Sequence, residues 1–108
     1  MATHFGIINT YFANMLAPKP YGGKRLMNLN GSFGKAIVWF IPDNSPLPDN
    51  QKHSGENVFD VYYHTSDWDA LIDLLRNEKP VHFNYYEANN SVQIYTGTEP
   101  VGEEENAP

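Results

Sequence analysis

Apolar and polar positions change period several times along this chain of 108 residues, and each change marks an element. In "TSDWDALIDLLRNEKP", Trp68, Leu71, Ile72 and Leu75 fall at i, i+3, i+4 and i+7, one apolar stripe at the helical period. Ser66 stands where a cap is needed, with Asp69 three residues on. Asp67 and Asp69 put negative charge in the first turn and Arg76 puts positive charge in the last. The spacing predicts a helix over 66–77, ended by Asn77 and Pro80. About twelve residues do not hold a helix in water unaided, so the stripe has to dock on a core.

Elsewhere the period is two. In "PVHFNYYEANNSVQIYTG", Val81, Phe83 and Tyr85 alternate with His82, Asn84 and Tyr86, and Val92 and Ile94 alternate with Gln93 and Tyr95. The turn residues "EANNS" between them predict a hairpin of strands 81–86 and 92–96. "NVFDVYYH" predicts a strand over 58–64 with Asp60 facing water and Phe59, Val61 and Tyr63 facing inward. "GKAIVWFIPD" carries an unbroken apolar run from Ala36 to Ile41, a strand over 35–41 by length and by its β-branched and aromatic content. "FGIINTYF" is the first strand, and 25–30 is a short one inside a Pro/Gly-rich connection. Residues 42–57, with three prolines and no periodicity, read as a long exposed loop.

The resulting order places one helix after the third main strand and before a terminal hairpin. That is the order of an OB-fold, whose helix plugs one end of a partly open barrel. The expected fold class is α+β, mainly antiparallel β: a small OB-like barrel of five to six strands with one helix, with an α+β roll as the alternative. Residues 1–97 form the domain, and 98–108 read as an acidic, disordered tail.

Composition narrows the class. Hydrophobic residues make up 41% of the chain, enough for one core and against wholesale disorder. With no cysteine there are no disulfides and no thiolate metal sites, which fits a reducing compartment. The N-terminus lacks the basic and apolar regions of a signal peptide, and no apolar run approaches the roughly 18 residues of a membrane helix. The expectation is a soluble, cytoplasmic protein with no membrane partner.

Net charge is −6, which by itself disfavours a nucleic-acid partner, but the charge is split. Residues 1–42 hold Lys19, Lys24, Arg25 and Lys35 and no acid, giving +4. Residues 43–108 hold three basic and thirteen acidic residues, giving −10, so that +4 − 10 = −6.

Several stretches resemble a cold-shock domain. "GIINTYF" is similar to that family's first strand, "GKAIVWFIPD" occupies the place of its Gly-Phe-Gly-Phe-Ile strand, "NVFDVYYH" resembles its Val-Phe-Val-His strand, and "KPVHFNYYEANNSVQI" its final hairpin. The glycine–aromatic alternation of the second strand is missing, and the 12-residue helical pattern and the loops at 14–33 and 42–57 exceed the family's connections. The resemblance implies an OB barrel whose second and third strands stack aromatics on single-stranded bases. In style the chain also resembles the small orphan proteins of bacterial mobile gene cassettes.

The candidate site follows from the charge split. Lys19, Tyr21, Lys24 and Arg25 share one Gly/Pro-rich loop, with Lys35 just beyond. In an OB barrel the loop between strands 1 and 2 borders the ligand groove, where cations meet phosphates and Tyr21 stacks on a base. The bland alternative is a solvated loop with ordinary lysines. If Lys35 faces out, alternation puts Ile37, Trp39 and Ile41 on the outer face. Trp39 is then buried under another element, exposed in a protein or homodimer interface, or a stacking platform. Tyr62 lies on the Asp60 face of its strand, and Asp60 there repels phosphate.

His4, His53, His64 and His82 are dispersed with no metal-ligand spacing, and "YGGKR" lacks the spacing of a P-loop. No nucleophile or acid–base pair stands out, so neither enzyme activity nor a cofactor is expected. The leading expectation is a non-enzymatic binding module for single-stranded nucleic acid, using Lys19, Tyr21, Lys24, Arg25, Lys35, Trp39 and Tyr62. The alternative is a protein that binds another protein or itself through Ile37, Trp39 and Ile41.

Overall fold

The fold is that of a computed structural model, which describes residues 2–21 and 23–97 and, of Pro20 and Tyr21, the backbone alone. Among the described residues, seven strands and one α-helix longer than a single turn follow the order β1 (Thr3–Met15), β2 (Arg25–Gly31), β3 (Gly34–Ile41), β4 (Gln51–Lys52), β5 (Val58–His64), α1 (Trp68–Asn77), β6 (Val81–Tyr86) and β7 (Ser91–Thr96). The strands form a single curled sheet, a half-barrel, in the order β4-β5-β3-β2-β1-β6-β7. No helix among the described residues is long and apolar enough to cross a membrane. The acidic segment 98–108 lies outside the described residues.

β1 serves both halves of the sheet. Thr3 to Ile7 pair with β6, Ile8 to Met15 pair with β2, and the register slips between Ile8 and Thr10. An irregularity of this kind bends a strand and increases its twist, so it is where the sheet curls. The N-terminal end is fastened by Glu87, whose backbone N–H donates to the Ala2 carbonyl at 3.0 Å and whose carboxylate accepts from the His4 ring at 2.5 Å.

Five of the six strand pairings are antiparallel, as the alternation predicts. The sixth corrects the expectation: β3 and β5 are parallel, from Lys35 beside Val58 to Ile41 beside His64. The strand count is also seven, where five to six were expected, because 25–30 is a full strand and 42–57 contains β4. A parallel neighbour requires the chain to cross back over the length of the strand, which takes a dozen residues or more. Residues 42–57 provide that crossover, and they are pinned along their length. Asp43 Oδ1 accepts from Ser66 N–H at 2.9 Å, the Ser45 carbonyl accepts from His64 Nε2 at 2.9 Å, and Asn50 Oδ1 accepts from Tyr62 N–H at 2.8 Å. Gly34 makes the return possible. Its φ is +120°, and a Cβ there would stand 2.1 Å from the Asn57 carbonyl oxygen.

The core fills the inner face. Met27 and Leu29, Ala36, Val38 and Phe40, Phe59 and Val61, and Val81, Phe83 and Tyr85 are all buried, each set at alternate positions of its strand. Phe33 stacks on Phe83 at 4.4 Å, and Phe59 meets Phe83 at 5.3 Å. β5 and β6 stand four places apart in the sheet, so side chains, not a backbone ladder, tie the two walls together. Each such ring contributes roughly 1.5–3 kcal/mol by leaving water.

α1 docks by the stripe read from the sequence: Leu71 is buried, and Trp68, Ile72 and Leu75 pack against the core with Leu74. Its start differs from the expectation. A 3₁₀ turn, Thr65–Asp67, precedes it, Asp67 Oδ2 accepts from His64 N–H at 3.2 Å, and Ser66 supplies no side-chain cap. The Asp67 carboxylate reaches back to the residue before the turn, and it makes no side-chain cap to the first N–H groups of α1.

Candidate ligand cleft

Alternation along β3 sends Ala36, Val38 and Phe40 into the core and leaves Ile37, Trp39 and Ile41 on the outward face, half-buried. The register of the neighbouring strands then sets the surroundings of Trp39. Leu26 of β2 lies opposite it on one side and Tyr62 of β5 on the other. Trp39 thus lies on the outward face, half-buried, and is not one of the fully buried core residues.

At this end of β3 a cleft of about 610 Å³ opens, lined by Gly23, Lys24, Arg25, Trp39, Phe40, Ile41, Pro42, Tyr62 and Thr65. Lys24 arrives from the end of the connection between β1 and β2, and Arg25 is the first residue of β2. That connection is closed at its base by Leu16 N–H donating to the Lys24 carbonyl at 2.8 Å. Pro42 and Thr65 arrive from the ends of β3 and β5, held together by Thr65 Oγ1–H donating to the Ile41 carbonyl at 3.2 Å. Among the described residues, none that lines the cleft carries a carboxylate.

Of the seven residues expected to bind nucleic acid, Lys24, Arg25, Trp39 and Tyr62 are brought together here. Arg25 lies opposite Phe40 and two residues from buried Met27, so its side chain leaves on the inner face, its guanidinium carbon 5.8 Å from the centroid of the Trp68 ring. Lys19 is exposed in a helical turn, Pro18–Tyr21, that is interrupted at Lys19 itself (φ −122°, ψ 129°), within the same connection. Of Tyr21 only the backbone is described. Lys35 stands apart: it opens β3, opposite Asn30 and Val58, while the cleft sits at the far end of that strand. Ile41 is six steps along the strand from Lys35, roughly 20 Å at about 3.3 Å per step.

Asp60 modifies the electrostatics of this face. Expected to face water, it lies on the outward face but is largely covered, its side chain 14% exposed. Trp39 Nε1–H donates to Asp60 Oδ1 at 3.1 Å, and His53 Nε2–H donates to Oδ2 at 2.8 Å. Both carboxylate oxygens are therefore engaged. The negative charge still reaches Tyr62, whose pKa is raised first by burial and then by Asp60.

The sequence reading missed the link of Trp39 to Asp60 and His53. His53 carries no helical or metal-site spacing that could have marked it, and its reach to Asp60 depends on the crossover folding back along β5. Among the described residues no cluster of three or more His, Asp or Glu is arranged to hold a metal ion. Comparison of the chain with protein-family models, with curated proteins and with solved structures gives no match.

Proposed function

We propose that the protein is a non-enzymatic binding module that takes single-stranded nucleic acid in the outward cleft at the end of β2, β3 and β5. The observation that carries this reading is the convergence of Lys24, Trp39 and Tyr62 on one concavity, with Arg25 in its wall and no acid lining it among the described residues. Flat aromatic faces accept any base, and cations beside them track the backbone phosphates. Lys19 lies exposed in the same connection and is available to a phosphate that extends beyond the cleft.

The architecture supports the same reading. A first strand bent at an irregularity and shared between two halves, with a helix placed before a terminal hairpin, is compatible with an OB-like barrel. In that fold the face of strands 2 and 3, beside the loop joining strands 1 and 2, is the ligand surface. Here β4 and β5 are added beside β3.

The test is titration of a fluorescein-labelled single-stranded oligonucleotide, followed by anisotropy and by Trp fluorescence, at low and moderate salt. Binding has to weaken as salt rises, because each neutralised phosphate releases counterions. Trp39→Ala and Lys24→Ala should each weaken it. An absence of binding at low salt, or binding untouched by both substitutions, removes the proposal.

A further inference from the structure

The two edges of the sheet are unlike. β4 is two residues long and carries Lys52, two features that blunt an edge against pairing with another chain. β7, Ser91–Thr96, is six residues long, and "SVQIYT" contains no charge and no proline. Its pairing with β6 runs from Val81 opposite Thr96 to Tyr86 opposite Ser91 without a register shift, so no bulge twists it away. Among the described residues its other side pairs with nothing.

The surface leading to this edge is equally free of charge. One outward row runs from Phe5 through Asn84 to Gln93 and the next from Ile7 through His82 to Tyr95. Neither contains Lys, Arg, Asp or Glu, in a chain of net charge −6. Phe5 is 70% exposed and Ile7 43%. The polar members are already fixed: His82 stacks on Tyr95 at 5.0 Å, and Tyr86 Oη–H donates to Gln93 Oε1 at 3.3 Å. A surface whose side chains are held before contact loses little entropy on binding. Enrichment in aromatics and depletion of charge are the compositional marks of an interface core.

We propose that β7 is the dimer edge of this protein: β7 of one copy pairs antiparallel with β7 of a second copy about a two-fold axis, joining the two sheets into one. A second copy is the occupant that fits, for two reasons. An antiparallel strand is its own hydrogen-bonding complement under a two-fold axis. The outward rows that meet across the axis also contain no charged residue, so a second copy sets no like charges face to face there. Outward residues have to face outward residues across the new ladder, so the axis passes through Gln93 or Ile94. In either register the two copies of residue 93 are opposite or diagonal, about 5–8 Å apart. The proposal is independent of the cleft, which lies on β2, β3 and β5.

Size-exclusion chromatography with light scattering between about 1 μM and 1 mM decides it. The full chain should show a mass of two copies at the upper end. Gln93→Lys should give a single-chain mass with an unchanged circular dichroism spectrum. Gln93→Glu should do the same, and mixing the two variants should restore the double mass. Ile37→Glu, on the outward face of β3, should leave the dimer intact. A wild-type mass of one chain throughout overturns the proposal, as does a Gln93→Lys dimer as strong as wild type. Loss of the dimer in Ile37→Glu but not in Gln93→Lys moves the interface to β3 and also overturns it.

Discussion

Trp39 lies opposite Tyr62 in the parallel ladder of β3 and β5, yet its indole reaches back along β5 to Asp60, Nε1 to Oδ1 at 3.1 Å. That bond selects one orientation of the ring on the outward face, and His53 holds the same carboxylate from the other side at 2.8 Å. Asp60→Asn keeps an acceptor for the indole and removes the negative charge beside the cleft. Oligonucleotide affinity should rise in this variant, with the Trp emission maximum little changed. Asp60→Ala leaves both donors without their acceptor and should lower stability by on the order of 1–3 kcal/mol, read from urea unfolding. Affinity that falls in Asp60→Asn would place the phosphates elsewhere.

The two lysines at opposite ends of β3 should behave differently. Lys24 lines the cleft and Lys35 is remote from it. Replacing Lys24 by Ala should reduce the slope of log affinity against log salt by about one, as expected for one lost phosphate contact. Lys35→Ala should leave the slope unchanged. Equal effects from the two would mean diffuse attraction to the +4 half and not a built site.

Gly34 should not tolerate a side chain. Its φ of +120° disfavours any L-residue, and a Cβ would press on the Asn57 carbonyl that accepts the Lys35 N–H at 3.0 Å. Gly34→Ala should cost on the order of 1–3 kcal/mol for the backbone alone. The contact with Asn57 adds to that cost. Thermal unfolding of the variant measures it, and an unchanged midpoint would refute the close approach of residue 57 to β3.

Acid stability should depend on Glu87. Its hydrogen bond from His4 lowers its pKa below the ordinary 4.5, assisted by the charge on His4, by Ala2 and by Lys52 and opposed by burial. A carboxylate with a depressed folded-state pKa contributes stability that is present above the unfolded value and is lost as pH falls through the folded one. Urea midpoints of the wild type should therefore drop as pH falls below 4.5 more steeply than those of Glu87→Gln. Parallel curves for the two proteins would show that the clamp contributes nothing.

Alkaline stability should depend on Tyr63, whose pKa is raised first by burial and then by Asp67. Here the folded-state pKa exceeds the ordinary 10.0, so the contribution is intact below that value and disappears as pH rises through the folded one. Tyr63→Phe should flatten the loss of stability above pH 10.0, and Phe40, 6.5 Å from the Tyr63 ring, should keep its partner. An identical alkaline transition in the variant would contradict this.

The elements themselves were legible because local chemistry sets them. The stripe Trp68, Leu71, Ile72 and Leu75 can bury one face only as a helix, and the alternation of Phe59, Val61 and Tyr63 with Asp60 can do so only as a strand. Half of the candidate site was legible as well. The acid-free first 42 residues pointed to Lys24 and Arg25, and alternation pointed to the outward face of Trp39.

Which strands become neighbours is another matter, because pairing depends on where a connection returns and not on the strand's own pattern. "NVFDVYYH" reads the same whether it lies parallel or antiparallel to "KAIVWFI", and only the crossover at 42–57 makes the pair parallel. That choice sets Tyr62 beside Trp39, while the antiparallel pairing of β4 with β5 brings His53 to Asp60 and that of β2 with β3 leaves Lys35 at the end of the strand away from Lys24. The sequence by itself determined the periods, hence the elements and the buried face of each. The tertiary structure decided the neighbours, because contacts between residues far apart in the chain follow from the path of the backbone, which side-chain periodicity does not encode.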